Sequence, residues 1–216
     1  MAAISKEQWH VMTGKEKAEY VWEYYKYPII IGAFILIMLV YWVVGLIGRK
    51  DHVVGVLMID TTGNAVEVDF SDFLLQNGKN PNKEDVNLND SLVFIDAPEE
   101  MMNNYNKSEM LVAWLMDDDY DIMFGTEANF ADYLDQGACI DLREALPEDL
   151  YAEVEDQIVF NDPDDESSYP CAILLKDNAW LNKNGYYSGD CLVGLLGHSE
   201  HPEMGIAFLR YILDNQ

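Results

Sequence analysis

His198 and His201 lie three residues apart beside Glu200 and Glu203, and imidazole with carboxylate is a donor set that zinc accepts. No HExxH helix frames the pair, which sits on a Ser/Pro-containing turn ahead of a helical pattern, so no metal site is read here. Two acidic clusters offer hard oxygen ligands for calcium: Asp117-Asp118-Asp119 with Asp121, and Asp162-Pro163-Asp164-Asp165-Glu166. Neither has the alternating Asp/Asn, central Gly and terminal Glu of an EF-hand loop, which makes solvated surface loops the plainer reading. Cys139, Cys171 and Cys191 are an odd set; Cys171 and Cys191 pair if their strands are neighbours, and otherwise all three are small buried hydrophobes.

Nothing in the chain spells a catalytic motif. There is no nucleophile elbow, phosphate-binding loop, dinucleotide fingerprint or CxxC, and Ser188-Gly189-Asp190 is an ordinary turn. No cofactor and no enzyme activity are expected, although a wall-polymer hydrolase with two carboxylates would leave no readable spacing and stands as a third reading. Ligand binding has two candidate loops, because open α/β sheets bind beyond the carboxyl ends of their strands. Thr61 and Thr62, with Asp60 and Gly63, follow the first strand pattern. Gly125 and Thr126 precede a helix opening at Glu127, whose free N–H groups suit an anion or carboxylate. The alternative is that Thr126 merely caps that helix, with Glu127 complementing its dipole.

The elements that would place these loops follow from pattern. Residues 52–60 (HVVGVLMID) are a β-rich apolar run ending at a Thr-Thr-Gly turn, and 86–96 read as extended. Residues 70–76 (FSDFLLQ) read as helical within an ambiguous stretch, and Pro98 opens a long helix over 99–116. A short strand at 120–125 precedes a helix at 127–136 that Gly137 ends. A short helix follows Pro147. Residues 159–160 and 172–175 form a strand pair around the second acidic cluster, 192–196 a buried strand, and 202–213 an amphipathic helix with Pro at its start. Strands alternating with helices predict an α/β sandwich, partly parallel, with right-handed crossovers.

Ahead of this lies the run 27–48 (YPIIIGAFILIMLVYWVVGLIG), 22 residues without a charge. A helix of that length covers roughly 33 Å, enough for the hydrocarbon core of a bilayer. It is too long for the apolar centre of a cleaved signal and no small-residue cleavage site follows, so it reads as a single uncleaved anchor. In the leader, Thr13 and Glu16 have capping-box spacing. The helix they begin carries Tyr20, Trp22, Tyr24, Tyr25 and Tyr27 to the headgroup level, as an interfacial anchor or a docking segment. Pro28 fits the first turn of the spanning helix or a kink between two helices.

Charge suggests the orientation. Residues 1–50 carry six Lys/Arg against four Asp/Glu; the remaining seven and 35 leave residues 51–216 at −28. Lys15, Lys17 and Lys26 before the span outnumber Arg49 and Lys50 after it, which favours an inner N-terminus. An anionic inner leaflet would also repel the acidic part. The division expected is a cytoplasmic juxtamembrane helix over 1–26, a transmembrane helix over 27–48 and an extracytoplasmic acidic α/β domain over 49–216. That acidity offers nucleic acid no basic patch, whereas it attracts cations, basic peptides and basic proteins.

Three stretches carry a resemblance: TGKEKAEYVWEYYKYPIIIG, then VNLNDSLVFI with YDIMFGTEANFADYLDQGACIDLREAL, and finally CLVGLLGHSEHPEMGIAFLRYIL. The second and third resemble segments of extracellular solute-binding proteins of ABC importers. The whole chain resembles single-pass membrane proteins of clostridia-like Gram-positive bacteria whose exported part is similar to a reduced solute-binding protein. The resemblance implies a periplasmic-binding-protein-like lobe on the outer face of the cell membrane. Its partners would be the lipid bilayer and a cationic or peptide ligand, a cell-wall component or a membrane protein. The other functional reading is a non-catalytic structural or accessory subunit of a membrane complex.

Overall fold

The computed structural model describes residues 6–47, 49–162, 165 and 167–215. They form two compact units that divide between Arg49 and Lys50.

The first unit is helical. Helix α1 (Lys6–Val11) precedes α2 (Gly14–Ile47), and the join is the capping box expected from the sequence. The Thr13 N–H and hydroxyl both donate to Glu16 Oε2 at 2.8 Å, and the Glu16 N–H donates back to Thr13 Oγ1 at 3.4 Å. Two helix-end donors are thus satisfied reciprocally. Trp9 meets Tyr20 edge-on at 6.1 Å, with Lys17 Nζ 5.7 Å from the Trp9 ring. One helix continues through Pro28, so the spanning helix does not start there. Within it, Gly14–Gly45 is long and apolar enough to cross a membrane and none of its most apolar stretch is buried. Ile30, Phe34, Ile37 and Trp42 all stand exposed on it. This is compatible with a single-pass membrane protein.

The second unit is mixed α/β, built on a six-stranded sheet ordered β2-β1-β3-β6-β5-β4. In chain order its elements are β1 (Asp51–Ile59), α3 (Ser71–Gln76), β2 (Glu84–Leu92), a 3-10 turn (Pro98–Glu100), α4 (Met101–Leu115), β3 (Ile122–Gly125), α5 (Glu127–Asp135), α6 (Leu142–Ala145), α7 (Glu148–Val154), β4 (Ile158–Phe160), β5 (Pro170–Leu175), α8 (Ala179–Lys183), β6 (Cys191–Leu195) and α9 (Pro202–Asp214). β1 is central to a parallel trio, pairing Val56 with Leu88 of β2 and with Ile122 of β3. From β3 outward the sheet turns antiparallel, through Phe124 opposite Val193 and Ile173 opposite Val193 to Val159 opposite Ala172.

Side chains alternate across a strand, and here both alternations are apolar because helices cover both faces. Val54, Val56, Met58, Ile122 and Phe124 face α3, α6, α7, α8 and α9 in one core. Its centre is Phe208, fully buried, with the rings of Phe73 and Phe70 at 5.4 and 5.7 Å. Leu57, Ile59, Met123 and Leu192 face the opposite way, against Leu111 and Leu115 of α4 and Phe130 and Leu134 of α5. The short helix α8 lies outside the sequence expectations; Asn178 begins it, its side-chain oxygen accepting from the Leu181 N–H at 3.0 Å.

Candidate functional site

The two loops singled out by sequence meet at one carboxylate. Asp60 follows β1 in a left-handed conformation, φ 57°. Its own N–H donates to the Leu92 carbonyl at 2.8 Å, which ties it to the end of β2. Its Oδ1 accepts from the Phe94 N–H at 2.8 Å, and its Oδ2 accepts from the Thr126 hydroxyl at 3.0 Å and from Asn129 Nδ2 at 2.7 Å. Thr126 occupies the residue before α5, yet its side chain makes no capping bond and turns to Asp60 instead. The chain thus supplies its own anion beside the first turn of α5, where a ligand carboxylate was envisaged.

The remaining predicted residues are committed internally as well. Thr61 is buried, its hydroxyl 3.4 Å from the Asp90 carbonyl. The Thr62 hydroxyl donates to the Gly185 carbonyl at 2.5 Å and accepts from the Asn64 N–H at 3.2 Å, while the Thr62 N–H donates to the Tyr186 carbonyl at 2.9 Å. At Gly125 a Cβ would stand 2.6 Å from Ile59 Cγ1 and 2.9 Å from Phe130 Cδ2, so the chain closes on itself there. The partner of Thr62, residues 184–187, was missed by the sequence reading. The visible signal was the Asn184-Gly185 dipeptide, a strong turn former. Beyond it the Tyr187 hydroxyl donates to the Ile59 carbonyl at 2.8 Å; burial pushes that phenol well above its ordinary pKa, and pushes Tyr186 up to about 12.

Asp121 has left the acidic cluster to which sequence assigned it. It is buried at the start of β3, where Oδ2 accepts from the Gly55 N–H at 2.7 Å. Its Oδ1 accepts from the Ser199 hydroxyl at 2.5 Å and from the His201 N–H at 3.2 Å. The carboxylate joins β1, β3 and the entry to α9. His201 therefore serves through its backbone, while His198 borders a small hollow of about 100 Å³ with Val112, Met116 and Tyr133. Among the described residues no group of three or more His, Cys, Asp or Glu converges as a metal site would require. Of the second acidic cluster, Pro163, Asp164 and Glu166 lie outside the described residues; Asp165 accepts from the Ser167 N–H at 2.8 Å.

None of the three cysteines forms a disulfide, and all are buried. Register explains why Cys171 and Cys191 do not pair: Leu175 is opposite Cys191, and Cys171 lies four residues further along β5. That is roughly 13 Å at the rise of a strand, far beyond disulfide reach. Burial raises the pKa of the Cys139 thiol, and raises that of Cys191 to about 12, so neither is a ready nucleophile.

Between α4 and α5 runs a hollow of about 610 Å³ lined by Tyr105, Glu109, Val112, Ala113, Met116 and Tyr133. Comparison of the chain with protein-family models, with curated proteins and with solved structures finds no match.

Proposed function

We propose that this protein is a membrane-anchored extracytoplasmic binding and interaction module, its N-terminus in the cytoplasm and its acidic α/β lobe outside, and that the lobe is a reduced relative of solute-binding proteins. The observation that carries the reading is the contrast between an uncharged span over 27–48 and a −28 lobe over 51–216. A helix with Ile30, Phe34 and Ile37 bare needs lipid around it, since each buried apolar side chain is worth about 1.5–3 kcal/mol over its exposed state. A lobe of such charge repels the inner leaflet. The mixed sheet, covered on both faces, agrees with the lobe architecture without specifying it.

The saturated loops at Thr61, Thr62, Gly125 and Thr126 favour a second reading, an accessory subunit of a membrane complex that binds no small ligand. The candidate small-molecule edge is occupied by Asp60 and its donors. Protease added to intact cells tests the topology: removal of the lobe is expected, and its protection while the envelope is sealed overturns the reading. Melting with metals, basic peptides and sugars separates the two functions, because a ligand at 100 times its Kd adds about 2.7 kcal/mol. Stabilisation by one class supports ligand binding; a flat response across all of them favours the subunit.

A further inference from the structure

Helix α4 carries one stripe that is committed within the lobe and a second, about 120° round the helix, that is largely exposed among the described residues. Leu111 and Leu115 enter the core, Lys107 Nζ donates to the Val93 carbonyl at 2.7 Å, and Asn104 Nδ2 donates to the Ile95 carbonyl at 2.7 Å. The other stripe carries Met101, Met102, Tyr105, Val112 and Met116, which are 72, 70, 60, 42 and 66% exposed. They recur at helical spacing, where a solvent-facing helix ordinarily places polar residues. The groove between α4 and α5 is lined by three of them, Tyr105, Val112 and Met116.

Charge identifies the occupant. Glu109 lines the groove, Glu99 and Glu100 stand at one end of α4, and exposed Asp117, Asp118 and Asp119 stand at the other. The acidic ends lie roughly 25 Å apart along the helix axis. The only Lys on α4 is turned to Val93. A second copy would set acid against acid, and anionic lipid headgroups would be repelled in the same way. A neutral bilayer surface would leave both acidic ends unanswered.

We propose that the α4–α5 groove docks a cationic amphipathic helix of a partner protein, whose apolar face packs on Val112, Met116 and Tyr133 while its Lys/Arg residues meet Glu109 and the acids at the two ends of α4. This rests on the interaction-module reading and names its surface. Methionine suits the task, since its unbranched, polarizable side chain repacks against varied apolar partners.

The test uses the full chain in phosphatidylcholine nanodiscs and a synthetic peptide of roughly 18 residues, Leu/Ala-rich with Lys at both ends, long enough for the acidic span. A matched peptide with Glu for Lys is the control, as are empty discs. Expected is saturable binding of the Lys peptide that weakens but persists at about 0.5 M salt, where exposed charges are screened. Val112→Lys with Met116→Lys changes exposed side chains only and should reduce affinity at least about tenfold, with melting unchanged. Glu153→Gln with Asp156→Asn, exposed on and after α7 and matching the +2 charge change, should alter it less than about twofold. Equal losses in both variants, binding of the Glu peptide, or no binding to the wild-type chain overturns the groove. None of those results touches the protease test of topology, so the two readings fail separately.

Discussion

The hydroxyl of Thr126 donates to Oδ2 of Asp60 at 3.0 Å, a bond between residues 66 apart in sequence that fastens the end of β3 to the end of β1. Asn129 Nδ2 and the Phe94 N–H complete the set around the same carboxylate. Hydrogen bonds to a charged group contribute about 1.5–3 kcal/mol each, so Asp60 is a structural hub. Asp60→Ala should cost about 2–4 kcal/mol, including the strain of a left-handed residue that Asp tolerates better than Ala. Thr126→Val should cost about 1 kcal/mol, and in the double variant the two losses should fall short of additive. Denaturant midpoints of the four proteins check this; strict additivity would remove the hub.

Asp121 supports a second junction. Asp121→Ala leaves the Gly55 N–H and the Ser199 hydroxyl without their acceptor in a buried place and should cost about 3 kcal/mol. Asp121→Asn keeps one acceptor oxygen and should cost less. If either variant unfolds within about 0.5 kcal/mol of the parent, the junction carries no load.

Gly194 faces the two thiol-bearing segments of the second core. A methyl there would lie 2.5 Å from Cys139 Sγ and 3.0 Å from the Cys171 carbonyl oxygen. Gly194→Ala is therefore expected to destabilise by about 1–3 kcal/mol, as overpacking does. Adding Cys139→Ala removes the sulfur and should restore part of that loss, a coupling of roughly 1 kcal/mol. A double variant at least as unstable as the sum of the singles would refute the contact.

Stability should pass through a maximum as pH falls. The 35 carboxylates against seven Lys/Arg in residues 51–216 repel one another at neutral pH, and protonating them toward about pH 4.5 relieves this. Against that, the Arg143 guanidinium bonded to Asp141, the Arg210 guanidinium bonded to Asp149 and the Ser71 hydroxyl bonded to Asp69 hold those carboxyls below their ordinary range. A group lowered in the folded state adds stability above its unfolded pKa of about 4 and loses it as pH falls through the folded value. Melting temperature is thus expected to rise on moderate acidification and fall below about pH 3. A continuous decline from pH 7 downward would show that self-repulsion is unimportant.

Much of the secondary structure was readable because its signals are local. The HVVGVLMID run became β1, the Thr13–Glu16 spacing became a capping box, and Pro202 opened α9. Pro28 does not open the spanning helix, because the helical turns ahead of it continue into the apolar run although local propensity disfavours proline inside a helix. The five residues of α8 were too few for a period to emerge. Thr126 was legible as a helix start, but the direction of its hydroxyl was not, since Asp60 is distant in sequence.

The residue order alone determined that one uncharged apolar run separates a small helical leader from a strongly acidic α/β unit, because hydropathy, charge and short-range periodicity are sums over neighbours. Tertiary structure decided what the polar side chains do. Strand order places β3 between β1 and β6, and register then dictates that Asp60 receives Thr126, that Asp121 receives Gly55 and Ser199, and that Cys171 stays four residues from the partner of Cys191. Those pairings depend on which distant segments share an edge, and no local spacing encodes that.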